Sequence, residues 1–158
     1  AVELTVDVSP GLPSVRIDPE HLRQVLLNLV RNAVDAMKGS GRITVETSHR
    51  VLSSLTRDPE QSAAGVVEVH VRDTGPGIDP AVRGNLFIPF FTTKASGTGL
   101  GLAISQRLIE SAGGRIEMRA TSAAGTTFTI VLPTVAAAAS TPPPPEHDLS
   151  SRVPVIAP

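Results

Sequence analysis

Apolar and polar residues alternate along Val2–Val8 (VELTVDV), the period of a half-buried strand. Turn residues Pro10, Gly11 and Pro13 follow, then a short extended piece at Val15–Ile17. Asp18-Pro19 marks a helix start, with Asp18 as N-cap and Pro19 in the first helical position. That helix should run to about Lys38, where Gly39-Ser40-Gly41 stops it. Alternation returns in Arg42–Val51 and Gly65–Arg72, a predicted antiparallel pair joined by a long polar loop over Leu52–Ala64. Asp79-Pro80 starts a short helix to about Leu86, and Leu100–Ala112 reads as another. After Gly113-Gly114, the segments Arg115–Thr121 and Thr126–Leu132 predict a closing hairpin.

On a helical wheel Leu22, Leu26, Leu29, Ala33 and Ala36 make one face of the first helix, and Leu27, Val30 and Val34 a second apolar sector. Asn28, Asn32 and Asp35 share a narrow arc between them. A polar stripe on a largely covered helix needs partners, because an unsatisfied buried amide costs about 1–3 kcal/mol. Either the stripe faces solvent or caps a loop, or it floors a cleft that offers oxygen ligands to a hard cation such as Mg²⁺.

Two glycine-rich turns lie downstream, Asp73–Ile78 (DTGPGI) and Gly97–Leu102 (GTGLGL). Glycine lets a ligand approach bare backbone, so the two turns suggest two walls of one site. The second opens a helix, whose unpaired N–H groups and dipole suit phosphate. Asp73 continues the parity of Val67, Val69 and Val71, opposite to Glu68, His70 and Arg72, and therefore points to the core side of its strand. A carboxylate there needs a donor; capping its own glycine turn is one answer and a ligand is another. Between the turns, Phe87–Ser96 (FIPFFTTKAS) carries three of the four phenylalanines. It reads as a lid that closes over a ligand or as a hydrophobic anchor for its loop.

Composition narrows the classes. With 158 residues, 41% of them hydrophobic, and a net charge of −1, the chain describes one globular domain with appendages. It has no basic field for nucleic acid and no apolar run long enough to span a membrane. The absence of cysteine excludes disulfides and thiolate zinc sites. Beyond Pro133 the pattern loses its period: residues 133–158 hold half of the 14 prolines, and 134–158 reads as a Pro/Ala-rich linker or disordered tail beside a domain of residues 1–133. The chain starts at Ala1 without a visible signal peptide, and a longer parent is expected.

Together these pieces resemble the catalytic ATP-binding domain of sensor histidine kinases, within the Bergerat-fold ATPase superfamily. QVLLNLVRNAVDAM resembles the N box, DTGPGI the first glycine box, FIPFFTTK the F box and GTGLGL the second glycine box. The N box and the TTK segment look most like the nitrogen-regulator class. The resemblance covers roughly residues 1–133 and implies an α/β fold, a two-layer sandwich of a mixed five-stranded sheet and three helices.

It also implies a nucleotide site for ATP and Mg²⁺. Asp73 would accept from the adenine amino group, with Gly75, Gly77 and Ile78 beside the base and Thr126 or Thr127 lining the pocket. Asn32 would ligate the metal, assisted by Asn28, with Asp35 and Lys38 further along the same helix. Lys94 and the backbone of Gly97, Thr98, Gly99, Leu100 and Gly101 would hold the phosphates, with Phe91, Thr92, Thr93 and Leu102 also at the nucleotide site. Ile88 departs from the pattern, where an acidic residue is usual.

The implied function is transfer of the ATP γ-phosphoryl group to a histidine on a separate dimerisation domain, then onward to a response regulator. The implied location is cytoplasmic, whether or not the parent is anchored in a membrane. His21, His49, His70 and His147 have no acceptor setting, so the acceptor is expected upstream and the chain alone is expected to be inactive. Related hydrolases of the gyrase, mismatch-repair and chaperone type, and anti-sigma-type serine kinases, usually carry Glu where Asn28 stands. A docking module without catalysis is the third alternative.

Overall fold

A computed structural model describes residues 1–51, 65–94 and 97–135. The loop expected at Leu52–Ala64, the lid residues Ala95 and Ser96, and the proline-rich segment 136–158 lie outside the described residues. Five strands form one sheet: β1 (Val2–Asp7), β2 (Gly41–Val51), β3 (Gly65–Asp73), β4 (Arg115–Ser122) and β5 (Gly125–Pro133). Their order is β1-β2-β3-β5-β4, with β1 parallel to β2 and every other pair antiparallel. Two α-helices, α1 (Pro19–Ala36) and α2 (Gly101–Ser111), cover one face. The short helix expected after Asp79 is a 3-10 helix, Pro80–Asn85.

Helix α1 begins as its sequence predicts. Asp18 is extended at φ −63°, ψ 124°, and its side chain accepts from the amide of Glu20 at 2.8 Å, with Pro19 next to it. Its end differs from expectation. The helix ends at Ala36 with Met37 as its C-cap, and the left-handed position falls on Lys38 (φ 53°), one residue before the first glycine. The amide of Gly39 bonds the carbonyl of Val34, and that of Lys38 the carbonyl of Asp35, which is the Schellman arrangement.

The core face of α1 is also turned from the expected one. Val25, Leu29, Ala33 and Met37 are its buried residues, while Leu27 is 51% exposed and Ala36 is exposed. An i, i+4 ladder aimed between β2, β3 and α2 leaves Leu27 on the outer side. From the sheet, Ile43, Val69, Val71, Ile116, Phe128, Ile130 and Leu132 meet this ladder. Strand β1 forms in register but is not half-buried: Leu4, Val6 and Val8 are 55–61% exposed. Of this edge strand only Val2 packs against the core, so alternation specified a strand whose later apolar residues have little cover among the described residues.

On the second face of the sheet no helix lies among the described residues. There Glu68 is buried, held by Arg50 at 2.9 Å and by Arg119 at 2.8 Å. Arg119 sits where the β4–β5 register shifts, an irregularity that aims it across the sheet. His70 lies between the hydroxyls of Ser48 and Thr129. After β5, the backbone stays tied through Thr134 to Gly65 and through Val135 to Ser14.

Candidate nucleotide site

Asp73 ends β3 and is 6% exposed. One carboxylate oxygen, Oδ1, accepts from the amide of Gly75 at 2.8 Å and from the amide of Thr126 at 3.3 Å. Oδ2 has no partner among the described residues, although no buried side-chain nitrogen or oxygen there is left unsatisfied. The two sequence readings of Asp73 are therefore compatible. One oxygen caps the glycine turn, and the other remains free for a donor.

The wall beside Asp73 is tightly fitted. Gly77 (φ 80°) lies so close to the β4–β5 turn that a β carbon would stand 2.1 Å from the carbonyl oxygen of Ser122. The Ile78 amide donates to the hydroxyl of Thr121, itself 3.2 Å from the Thr126 hydroxyl. A β carbon on Gly75 would meet Asp73 Oδ1 at 2.9 Å and Met37 of α1 at 3.3 Å. Of the two candidate threonines, Thr126 is the one at Asp73. Thr127 pairs with Arg72 and faces the other side of the sheet, a correction that follows from strand alternation. It lines a separate hollow with Arg72, Ala120 and Gly125.

Along α1 the polar stripe meets two different elements. Asn28 donates from its amide to Ser105 of α2 at 2.9 Å, and its oxygen packs where Gly101 has no side chain, 2.4 Å from an ideal β carbon. Asn32 and Asp35 both receive the ammonium of Lys94, at 2.8 Å and 2.7 Å. Lys38 is exposed beyond the helix end, and its side chain bonds no other described residue. It is not brought to the stripe.

The F-box segment divides its aromatics. Phe87 makes an edge-on contact with Phe128, ring centres 6.4 Å apart, and packs on the core. Phe91 is half-buried, whereas Phe90 is 75% exposed with a left-handed backbone at φ 66°. The amide of Phe90 bonds the carbonyl of Gly99, and Gly99 lies against the Phe90 backbone where a β carbon would come within 2.4 Å. The segment and the second glycine turn are thus joined. Thr92 receives the Lys94 amide and abuts Gly97; Thr93 and Thr98 are exposed, and Thr98 receives the amide of Leu100 at 3.4 Å. Leu100 ends the turn as the N-cap of α2 without a side-chain cap, so the first amides of α2 have no side-chain acceptor there. Leu102 packs inward on the core.

Three contributors escape a reading of sequence alone: Gly125, Ser105 and Thr121. Ser105 left a signal, for Gly101, Ser105 and Ile109 follow an i, i+4 ladder on which a lone hydroxyl stands out. Gly125 opens the second strand of the closing hairpin, where a glycine carries no signal of its own.

The family model described as histidine kinase-, DNA gyrase B- and HSP90-like ATPase matches residues 17–136. Among curated relatives, the sensor histidine kinase ZraS of Salmonella typhi is 40% identical over 85% of this chain and 26% of its own length. The sensory histidine kinase/phosphatase NtrB of Salmonella typhimurium is 42% identical over 84% and 37%. The chain therefore spans well under half of these relatives. Among solved structures, a nucleotide-free catalytic domain of the histidine kinase ThkA superposes with a TM-score of 0.66 at 30% identity, over 84% of this chain and 79% of that one. Full-length ShkA in complex with AMPPNP gives 0.64 at 33% identity, over 86% and 27%. No helix among the described residues is long and apolar enough to cross a membrane. The chain belongs to the histidine kinase-, gyrase B- and HSP90-like ATPases, as a catalytic ATP-binding domain of the sensor histidine kinase type.

Proposed function

We propose that this domain binds ATP with Mg²⁺ in the cleft between α1, the two glycine turns and the Phe87–Lys94 segment, and presents the γ-phosphoryl group to a histidine outside residues 1–158. The observation that carries the reading is the divided carboxylate of Asp73: Oδ1 is held by two backbone amides and Oδ2 is left for the adenine amino group. Guanine would present a carbonyl to the same oxygen and be repelled. Thr126 and Ile78 complete the wall beside the base.

The donor set also suits the metal. Asn32 Oδ1 is a half-buried amide oxygen that already receives a cation, the Lys94 ammonium. Bound there, Mg²⁺ would neutralise charge on the β- and γ-phosphate oxygens. Lys94 and the uncapped amides at the start of α2 would orient the phosphates. In the transfer, the bond from the γ-phosphorus to the bridging oxygen breaks, a bond to an imidazole nitrogen forms, and ADP leaves. Hydrolysis is disfavoured because Asn28 stands where the related hydrolases have a carboxylate, and its amide is engaged with Ser105.

Incubated with labelled Mg·ATP, the chain alone should neither label itself nor turn ATP over appreciably. A helical hairpin carrying the parent kinase's acceptor histidine should become labelled with an acid-labile phosphate, less efficiently than in one polypeptide because tethering is lost. The Asp73→Asn chain should label the hairpin far more slowly at the same sub-saturating ATP concentration. Self-labelling on serine or threonine would favour the anti-sigma-type reading, and strong turnover without acceptor the hydrolase reading.

A further inference from the structure

Lys94 makes an unusual choice of partners for a phosphate-binding lysine. Its ammonium is not directed to open solvent but is shared between Asn32 Oδ1 and Asp35 Oδ2, two oxygens of the helix opposite its own segment. Asn32 Oδ1 is the oxygen assigned above to the metal. The amide oxygen has two lone pairs, but an ammonium and a divalent ion on it at bonding distance repel each other and each weakens the other's hold.

We propose that Lys94 is a placeholder cation, and that Asp35 is the positioning residue that keeps it on Asn32 until nucleotide arrives. The inference rests on the nucleotide reading of the cleft. Before ATP binds, the Asp35–Lys94 pair pins the Phe87–Lys94 segment to α1 and closes the metal's oxygen to divalent ions. A phosphate offers the ammonium more negative charge than Asp35 does, so ATP draws Lys94 away and frees Asn32 in the same movement. Metal and nucleotide are thereby taken up together, and divalent cation alone does not engage Asn32. The contact is modest. Lys94 and Asp35 side chains are 39% and 58% exposed, and pairs so exposed are screened by water. A modest contact suits a latch that substrate must open.

The consequence is a gain of affinity from removing a charge. Asp35→Asn loosens Lys94 in the free chain and should tighten binding of a non-hydrolysable ATP analogue with Mg²⁺ by about 2- to 5-fold. Lys94→Met should weaken it through loss of the phosphate contact. In the Lys94→Met background the benefit of Asp35→Asn should vanish, because the latch is already gone. If Asp35→Asn gives the same gain in both backgrounds, simple repulsion between Asp35 and phosphate explains it and the latch is wrong. A loss of affinity in Asp35→Asn would also overturn it.

A second readout needs no nucleotide. The chain has two lysines, Lys38 and Lys94, and Lys38 serves as an internal reference. In the free protein an acylating reagent should modify Lys94 several-fold more slowly than Lys38. Asp35→Asn should remove most of that difference, and MgCl₂ alone should leave it in place. Equal rates in the wild-type chain, or release of Lys94 by Mg²⁺ alone, would refute the placeholder while leaving the nucleotide reading intact. Failure of the wild-type chain to bind the analogue at all would instead remove the nucleotide reading, and the latch with it.

Discussion

Gly125 lies against the backbone of Asp73: a β carbon on Gly125, at φ 134°, would stand 1.9 Å from the Asp73 carbonyl oxygen. The residue beside it, Thr126, donates its amide to the Asp73 carboxylate. The start of β5 therefore sets both the position of Asp73 and the direction of its free oxygen. Gly125→Ala should cost at least about 2 kcal/mol, from strained backbone and displaced β3. Gly84 has open space around it, and Gly84→Ala should change stability by less than about 0.5 kcal/mol. Urea unfolding of the two variants checks the contrast.

The aromatics of the Phe87–Lys94 segment should separate in the same assay. Phe87 is packed on Phe128 and the core, and Phe87→Ala should lose about 2–3 kcal/mol, somewhat below the range for a fully buried ring. Phe90 is mostly in water and in a left-handed backbone, so Phe90→Ala should stay within about 0.5 kcal/mol of the parent. Similar large losses in both would make the whole segment plain core.

Glu68 gives the fold an acid dependence away from the nucleotide site. Burial raises its carboxyl pKa, but Arg50 and Arg119 together outweigh burial and hold it below the usual value of 4.5. A depressed folded value contributes stability that is complete above the unfolded value and fades as pH falls through the folded one. Glu68→Gln should therefore cost about 1–2 kcal/mol at neutral pH, and progressively less below about pH 4.5. Stability curves that stay parallel down to acid pH would contradict this sign.

The elements whose causes are local were legible in the chain. Asp18-Pro19 started α1, strand parity turned Asp73 inward, and the glycine runs marked both turns. What the sequence hid depends on partners far along the chain. Gly125 matters because β5 pairs with β3, and Thr126 rather than Thr127 faces Asp73 because of that register. Leu4 and Val6 alternate like core residues, yet both are more than half exposed, because the core reaches β1 only at Val2 among the described residues. Lys38 took the left-handed position since the helix end was set by Met37 packing on the core, not by the nearest glycine. The Asn stripe was visible as a polar arc, but only packing divides it between Ser105 for Asn28 and Lys94 for Asn32 and Asp35.

Calorimetric titration of a non-hydrolysable ATP analogue with Mg²⁺, into the wild-type chain and into Asp73→Asn, tests the nucleotide site most directly. An amide at residue 73 turns a pure acceptor into a mixed donor and acceptor facing the adenine amino group. Loss of the charge-assisted bond should cost about 1.5–3 kcal/mol, on the order of a 10- to 150-fold weaker affinity, in a variant whose unfolding shows it folded. Equal affinity in the two folded chains would contradict the assignment of Asp73 to adenine.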